Sequence, residues 1–346
     1  MQGNVSIIKK GLSVFLLLFV SLFIITTRLQ AQVITWKVQS NKAVSSQRFA
    51  LEQAFAKEVS ELSDQQLIIK VSAAGGYVPI RSSFNAVRKD VIQAMFMSPM
   101  YWGAADPIFY ILGDLVAAWQ KPSHYQQWLE QAGGINYLHS AYSAFDLKLI
   151  GYAISPVESF VSSVPLYNIN SFVGKKIRTA PGMVYDYFKL VGAKPRLISL
   201  NQVNKALKKK SVTIADYSNI VVNFHDGLHH HIKHTNFPGF HSMPLNDFVV
   251  SEKAWASLNT TQQGAVKVAI EHWVEALNAY YQKETQMALI ALKNDGVAIY
   301  HWNEHDITQA RNLAVQVWDS YAVKSDTAMK ALGELKLWLN KPSKRE

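Results

Sequence analysis

Arg178 is the residue whose type and position most directly suggest chemistry. It lies next to the last residue of a short strand-like stretch over 176–179, and it precedes Ala180-Pro181-Gly182, where a helix is predicted to begin. An arginine at the carboxyl end of a strand in an α/β sheet points into the crevice where ligands bind. Its planar guanidinium can hold a carboxylate through two parallel hydrogen bonds. From the sequence alone, a salt bridge between two lobes of the protein is an equally good interpretation.

The histidines are the second group of interest, because five of the 11 fall within ten consecutive residues. On a helix, His225/His229 and His230/His234 would each have the i,i+4 spacing that can hold zinc. The HExxH pattern of zinc proteases is missing, and Gly227 weakens the predicted helix. A histidine cluster at the surface or between lobes is therefore favoured. A periplasmic zinc enzyme or zinc-handling protein is kept as the alternative.

Motifs for phosphate binding and for nucleophilic catalysis are missing from the sequence. It contains no GxGxxG, GxxxxGK[ST] or GxSxG, which argues against a nucleotide phosphate loop and an esterase-type serine. It also contains no cysteine, so disulfides, thiolate zinc sites and a cysteine nucleophile are excluded. These absences favour a binding protein over an enzyme.

The composition indicates a folded, basic protein. The 346 residues suggest two domains at about 150 residues per domain. Hydrophobic residues make up 49% of the chain and charged residues 17%, which excludes disorder. The formal net charge is +10. Nucleic acid is not an expected partner of an exported protein, so this charge favours small anionic ligands, or a polar face with no special role.

Residues 1–31 follow the plan of a secretory signal peptide. Lys9 and Lys10 precede an apolar run over 12–25, and Ala31 supplies a small residue before a cleavage point. The run is shorter than the about 20 residues that span a bilayer, so we expect cleavage, with an uncleaved anchor as the alternative. The mature protein would begin near Gln32 and reside in the periplasm.

Strand-like and helix-like stretches alternate along most of the chain. The first predicted strands are 33–39 and 67–71, with helices over 47–62 and 84–97. The alternation restarts after residue 145, with strands over 149–154, 176–179, 196–199 and 212–217 and helices over 183–191 and 202–209. This pattern predicts two α/β lobes, each with a largely parallel sheet covered by helices.

An unusually long helix is predicted next. Thr260 and Gln263 suggest a capping box, and apolar residues continue at helical spacing beyond them. About 30 helical residues span about 45 Å at a rise of 1.5 Å per residue, enough to cross both lobes. A final strand over 297–302 and two amphipathic helices, over 305–322 and 326–340, complete the prediction.

Five short segments, spread over nearly the whole mature chain, carry a family resemblance through their order and spacing. They read WKVQS at 36–40, AGGYVP at 74–79, GKKIRTAPG at 174–182, VGAKP at 191–195 and FPGFH at 237–241. Together they resemble the extracytoplasmic solute-binding proteins of tripartite ATP-independent periplasmic (TRAP) transporters. The last segment resembles in particular the branch that binds α-keto acids and 2-hydroxy acids.

The resemblance implies a two-lobe, type II-like periplasmic binding-protein fold. Lobe 1 would comprise 32–150 and about 243–283, and lobe 2 would comprise 151–242 and about 284–322. The crossing strands and the long helix would connect the lobes. Such a protein closes on an organic acid and hands it to a membrane permease without catalysis. An orphan ligand sensor on the same fold is a further alternative.

The resemblance also implies which residues contact the ligand. Arg178 would bind the carboxylate, as the strand-end arginine of the family does. The other expected contacts are the residues at matching positions, namely Glu158, Tyr101, Trp102, Tyr217, Phe240 and His241.

A cation is a further expectation from the same branch, in which it bridges the protein and the carboxylate and keto oxygens of the ligand. Hard cations prefer oxygen ligands, above all carboxylates. The branch has Glu after its Phe-His pair, where this chain has Ser242, and it has Gln where this chain has Glu158. We therefore expect calcium or sodium to be held by Glu158 and Asp216, with the backbone carbonyl of Tyr217 as a further ligand.

The C-terminal residues 323–346 have two expected arrangements. In the branch that the chain resembles, a C-terminal helix is exchanged between the protomers of a dimer. The predicted helix over 326–340 could be exchanged in this way, with an apolar side formed by Leu332, Leu335, Leu337 and Trp338. The composition favours equally a helix packed on its own lobe.

Overall fold

The computed structural model describes residues 33–340, and within this range the chain forms two sheets covered by helices. The strands of the first sheet are β1 Ile34–Ser40, β2 Leu67–Ser72, β3 Ala94–Met97, β4 Leu147–Ile154 and β10 Leu245–Ser251. Those of the second are β5 Glu158–Ser162, β6 Lys176–Thr179, β7 Lys194–Leu197, β8 Ile214–Asn219, β9 His234–Asn236 and β11 Ala298–Tyr300. We refer to the unit around the first sheet as lobe 1 and to the unit around the second as lobe 2.

Both sheets mix parallel and antiparallel pairs. The first has the order β2-β1-β3-β10-β4, in which β10 is antiparallel to both of its neighbours. The second has the order β11-β9-β5-β8-β6-β7, in which β6 is parallel to β7 and to β8. The parallel pairs bring the carboxyl ends of β6 and β8 to the same edge of the second sheet.

Helices lie on the faces of both sheets. The first seven in chain order are α1 Gln47–Leu62, α2 Ser83–Arg88, α3 Ile108–Gly113, α4 Pro122–Gln131, α5 Gly134–Ser143, α6 Met183–Leu190 and α7 Val203–Lys208. The remainder are α8 Ile220–His225, α9 Glu252–Ala256, α10 Thr260–Asn294, α11 Glu304–Ala322 and α12 Asp326–Leu339. None of these helices, within the described range, is long and apolar enough to cross a membrane. The predicted signal peptide lies outside that range.

Two adjacent segments carry the chain between the sheets. The first leads from β4 to β5, and the second leads from β9 to β10. Backbone hydrogen bonds join them, from Ser155 N to Pro244 O (2.9 Å) and from Glu158 N to Ser242 O (2.7 Å). The first crossing thus begins a few residues after the boundary expected at residue 150, and it places Glu158 and Ser242 side by side between the lobes.

Helix α10 is the predicted long helix and contains 35 residues. It packs on α1 and β4 of lobe 1 and on α8 of lobe 2. Its capping box is formed by Asn259 and Gln262, one residue earlier than predicted, because Asn259 has the extended backbone and accepts from the Gln262 amide. The helix therefore contacts both lobes, as expected from its length.

The single helix predicted over 84–97 is wrong in its second half. Helix α2 ends at Arg88, Asp90 adopts a positive φ of 56°, and Ala94–Met97 forms the fully buried strand β3. A short, continuous apolar run does not distinguish a buried strand from a helix segment. The strand predicted over 196–199 is also shifted, because the observed strand β7 covers Lys194–Leu197.

The C-terminal helix α12 packs on its own chain. It contacts α3, α5 and α11, and it buries Leu332, Leu335 and Trp338. The Trp338 ring lies 5.9 Å from the ring of Trp119. Leu337 is 71% exposed, so its place in the predicted apolar side is wrong: it lies two positions from Leu335 and projects from a different face of the helix.

Candidate functional site

Arg178 is fixed at the carboxyl end of β6, where the two lobes meet. Its side chain is buried, with the residue 6% exposed. Nε donates to the Ile198 carbonyl at 2.9 Å, and Nη1 donates to the Asp216 carbonyl. Nη1 also lies 3.9 Å from the Asp216 carboxylate. These partners belong to lobe 2, so the interpretation of Arg178 as an interlobe salt bridge is wrong.

Asp216 and Tyr217 lie in a β-bulge of β8. Ser159 pairs with Ser218 and Val161 pairs with Ala215, so two residues of β8 oppose the single residue Phe160. A bulge turns a side chain out of the regular alternation of the strand and frees its backbone groups. This irregularity explains why Asp216 can present both its carbonyl and its carboxylate at the end of the sheet.

The Asp216 carboxylate is buried and held in its ionised form. Its Oδ2 accepts from the Ala180 amide at 3.2 Å, and its Oδ1 accepts from His241 Nε2 at 3.0 Å. Burial alone raises the pKa of Asp216, but the hydrogen bond and charge of His241, together with Arg178, lower it to about 2. Asp216 is therefore a fixed negative charge that orients both Arg178 and His241.

His241 is fully buried, and its ring and its backbone are both held in place. Its ring stacks on Phe160 at a centroid distance of 4.0 Å, and its carbonyl accepts from the Ala117 amide of lobe 1 at 2.8 Å. Gly239 permits this position, because a Cβ there would lie 1.6 Å from the Glu158 carbonyl oxygen. The Gly therefore allows the segment that carries His241 to approach the start of β5.

Glu158 completes a group of three possible ligands. Its Oε2 lies 4.0 Å from His241 Nε2, and ligand atoms of Glu158, Asp216 and His241 lie within 4.8 Å of one another. Burial raises the pKa of Glu158 well above its usual range, and the nearby carboxylates of Asp216 and Asp114 raise it further. A bound cation would relieve this repulsion, so the donor set fits a hard cation with two carboxylate ligands.

Asp114 is a site residue that sequence reasoning missed. It follows α3 in lobe 1, is buried, and accepts from Ser242 Oγ at 2.6 Å and from the Met243 amide at 2.8 Å. Burial raises its pKa to about 6. A lone acid in the apolar stretch 108–119 was the available signal. Ser242, which stands where a Glu was expected, thus holds a carboxylate that comes from the other lobe.

The aromatic residues expected at the site have different surroundings. Burial raises the pKa of the Tyr101 hydroxyl, and the charges of Glu158 and Arg178 also act on it, so Tyr101 faces this group. Trp102 packs in the lobe 1 core, with its ring 5.0 Å from that of Phe84.

Two of the expected aromatics come from the part of the chain that follows β7, and both also have partners outside the charged group. The Phe240 ring stacks on Trp302 at 4.2 Å, and Phe240 is only 3% exposed. The Tyr217 hydroxyl donates to Asp226 at 2.8 Å. Of the four predicted aromatics, Tyr101 and Tyr217 therefore lie near the charge of Arg178 and Phe240 packs against His241, whereas Trp102 belongs to the lobe 1 core.

The histidines over 225–234 do not form the predicted i,i+4 pairs. Helix α8 ends at His225, and Gly227 has a positive φ of 68°. His225 pairs with Glu284 at 2.9 Å, whereas His234 Nδ1 lies 2.8 Å from the Tyr300 hydroxyl. Within residues 33–340, the group that could hold a metal ion is instead Glu158, Asp216 and His241.

Comparison with protein families gives one extensive match. The family model DctP, bacterial extracellular solute-binding protein, family 7, matches residues 38–325. This match covers both sheets, the crossing segments and the charged group between them.

Solved structures with the same two-lobe arrangement include three of interest. A TRAP periplasmic solute-binding protein from Rhodobacter sphaeroides, in an apo open form, is 26% identical with a TM-score of 0.76, over 90% of this chain and 99% of its own. One from Pseudoalteromonas atlantica, with bound sodium and pyruvate, is 18% identical with a TM-score of 0.78, over 89% and 94%. One from Bordetella bronchiseptica, a mixed-occupancy dimer with calcium and picolinate, is 16% identical with a TM-score of 0.76, over 89% and 92%. The predicted two-lobe α/β fold is confirmed.

Proposed function

Since the chain belongs to the bacterial extracellular solute-binding proteins of family 7, the DctP family of TRAP solute receptors, we propose that it binds a 2-oxo or 2-hydroxy carboxylate between its lobes. Members of this family are periplasmic receptors and not enzymes. The predictions of a binding protein and of a TRAP receptor are therefore confirmed at the level of the family. What we propose beyond the family is the branch to which the chain belongs and the class of ligand that it binds.

The buried guanidinium of Arg178 is the observation that carries this proposal. Two carbonyls fix its orientation, and it lies at the end of β6 where the lobes meet. A cation this deeply buried requires an anionic partner with good geometry. Asp216 supplies part of the compensation but lies 3.9 Å away. The carboxylate of a ligand would give Arg178 direct, charge-assisted hydrogen bonds.

A cation beside the ligand is the second part of the proposal. Glu158 and Asp216 would hold calcium or sodium, and His241 would orient Asp216 through its hydrogen bond. Pyruvate and picolinate each carry a carboxylate next to a second donor atom, and the relatives that bind them hold a cation as well. A 2-oxo or 2-hydroxy acid has the same pair of donors. The Tyr217 carbonyl, which lies in the bulge, remains the proposed additional ligand.

The partners follow from the family. We propose that lobe closure traps the ligand and that a TRAP permease receives it. Lobe 1, which includes β10, would close against lobe 2 through the two crossing segments and α10. A homodimer is also proposed, since the Bordetella bronchiseptica relative is a dimer; size-exclusion chromatography with light scattering would test it.

The proposal is tested by measuring pyruvate and lactate binding by calorimetry in calcium, in sodium and in EDTA. Arg178→Ala should lower the affinity at least about 100-fold, because a buried charge pair is lost. Arg196→Ala is the matched control: Arg196 is paired with Arg178 in register but is exposed, so it should leave binding unchanged. If Arg178→Ala binds like the wild type, the proposed site is wrong.

A further inference from the structure

Lobe 2 carries a group of exposed lysines at the end of its sheet that lies away from Arg178. Residues 173–210 contain ten basic side chains and a single acidic one, Asp186, which accepts from the Tyr321 hydroxyl at 2.6 Å. Seven of the basic side chains form what we call the basal lysine face: Lys175, Lys176, Lys189, Lys194 and 208–210. Among the described residues, none of the seven has an acidic partner within 4.0 Å. The face is therefore a patch of unpaired positive charge.

Backbone hydrogen bonds bring these lysines together. Lys176 and Lys194 are opposite each other in the parallel pair of β6 and β7, and the Lys194 amide donates to the Lys175 carbonyl at 2.7 Å. The Lys176 carbonyl accepts from the Thr213 amide at 2.9 Å, which places the segment 208–210 beside the start of β6. Like charges on neighbouring strands repel each other. The face thus destabilises the isolated protein, and an anionic partner would relieve the repulsion.

Two helices also end at this face. The Gly192 amide donates to the Lys189 carbonyl at 3.1 Å where α6 ends, and α7 ends at Lys208. A lysine in the last turn of a helix is stabilised by the helix dipole, which explains these two lysines without any partner. The dipole does not explain the lysines of β6 and β7. It also does not explain Lys210, whose φ of 55° lies in the region that favours glycine.

Exposed apolar side chains accompany the lysines. Val173 is 53% exposed and Leu190 is 43% exposed. Their segments lie side by side, because the Gly174 amide donates to the Gly192 carbonyl at 2.8 Å. Lysines beside exposed apolar side chains are typical of surfaces that lie on an anionic bilayer, where the apolar groups enter the headgroup layer.

The type of charged side chain distinguishes a lipid partner from a protein partner. All seven charged side chains of the basal lysine face are lysines. Interfaces between proteins are depleted in lysine and enriched in arginine. A lysine ammonium binds phosphate as a point charge, without the fixed fork of arginine, and this suits mobile lipid headgroups. An anionic bilayer therefore fits the face better than an acidic protein does.

We propose that the basal lysine face binds this protein to the anionic surface of a phospholipid bilayer. The seven lysines contact headgroup phosphates, and Val173 and Leu190 enter the headgroup layer. Arg178 lies towards the other end of β6, so the bound protein keeps its ligand site free. This contact holds the receptor beside a membrane, and it does not depend on which organic acid the receptor binds.

Cosedimentation with vesicles tests this contact. The processed protein, which begins near Gln32, would be used without organic acid, so that the apolar run over 12–25 cannot itself insert. The vesicles would contain phosphatidylcholine alone or with about 40% phosphatidylglycerol. Each lysine near an anionic surface strengthens binding about fivefold. Wild-type protein should therefore partition onto the anionic vesicles at least about tenfold more strongly than onto the neutral ones, and about 300 mM salt should remove this difference.

Two variants assign the binding to the face. Lys176→Gln/Lys194→Gln removes the facing pair of strand lysines, and Lys208→Gln/Lys209→Gln/Lys210→Gln removes the lysines that end α7 and follow it. Each variant should lower the partition onto anionic vesicles at least about tenfold. Circular dichroism would check their folding, and either variant alone is sufficient for the test.

The matched control comes from lobe 1. Lys37 and Lys70 are exposed and lie opposite each other in the parallel pair of β1 and β2, as Lys176 and Lys194 do in lobe 2. Lys37→Gln/Lys70→Gln removes the same net charge as the strand variant of the face. Its partition onto anionic vesicles should stay within about twofold of wild type.

Three results would overturn the proposal. Equal partition onto neutral and anionic vesicles would mean that the lysines do not bind lipid. Equal losses in the control and in the face variants would mean that net charge alone, and not this face, determines binding. Protein that stays in the supernatant with both kinds of vesicle, as expected if the partner of the face is an acidic protein, would rule out the bilayer.

Discussion

The charged groups of the two lobes are compensated to different degrees. In lobe 2, Arg178 and His241 each contact Asp216 directly, and Asp216 is kept ionised. In lobe 1, Lys42, Glu52 and Asp247 are equally buried, yet the structure gives them no ion pair within 4.0 Å among the described residues. Burial moves all three pKa values towards the neutral forms.

This difference indicates two roles. A set of charges that orient one another before the ligand arrives lowers the cost of ordering on binding. Buried groups that are held neutral or left unpaired raise the free energy of the unliganded protein, so a charged partner would stabilise them most. We therefore expect the charges of lobe 2 to fix the orientation of the ligand, and the buried groups of lobe 1 to make its stability depend on pH.

Of the variants that test this difference between the lobes, Asp216→Asn should have the largest effect. The variant keeps the shape of the side chain but removes the charge that orients Arg178 and His241. The affinity for pyruvate should fall about 100-fold, because the buried Arg178 guanidinium and the His241 ring both lose their negatively charged partner. Asp226→Asn is the control from the same part of lobe 2, since Asp226 is exposed and contacts Tyr217. An affinity within about threefold of wild type would show that the lobe 2 charges do not act as a unit.

Glu158→Gln should have an intermediate effect. It removes one of the two carboxylates proposed to hold the cation, so calcium should no longer strengthen pyruvate binding, a loss of about tenfold. In EDTA the same variant should unfold at a higher temperature than wild type, because burial first, and the carboxylates of Asp216 and Asp114 second, disfavour the charged form of Glu158, and Gln carries no charge. Glu271→Gln, exposed on α10, is the control. A calcium effect that survives in Glu158→Gln would place the cation elsewhere.

The elements of the fold were largely predictable from local pattern. Strand β6, the helix over 47–62 and the long helix α10 all carry local sequence signals within a short window. β3 was assigned to a helix because four consecutive buried residues have no periodicity to read. The prediction for Leu337 is wrong for a related reason, because an apolar side chain does not by itself indicate which face of a helix it lies on.

The candidate site was predictable only in part. Arg178 could be placed from its position at a strand end, because topology alone brings that end to the crevice. Asp114 and Ser242 contact each other across the two lobes and are far apart in sequence, so no local pattern joins them. Lys42 is similar, since its lack of an ion pair is a property of the folded environment. Residues that meet only through tertiary packing have no characteristic spacing in the sequence.

Asp247→Asn should have the smallest effect, and it tests whether lobe 1 is held in its neutral form. The Asp247 pKa is raised by burial from 3.8 to about 8, while the hydrogen bond from Tyr142 opposes part of this rise. The folded state therefore binds the proton more tightly than the unfolded state does. Its contribution to the free energy of unfolding is complete below about pH 4 and is lost as the pH rises through about 8.

The measurement is the thermal midpoint of both proteins between pH 5 and pH 8. Wild-type protein should lose several degrees relative to Asp247→Asn over this interval, on the scale of about 4 °C per kcal/mol for small domains and less for larger ones. Glu52 and Lys42 titrate in the same window, but the difference between the two proteins isolates position 247 unless the three groups are strongly coupled. Asp64→Asn, at an exposed position, should run parallel to wild type. A constant difference at every pH would mean that Asp247 is ionised in the folded protein, and lobe 1 would then hold a fixed charge just as lobe 2 does.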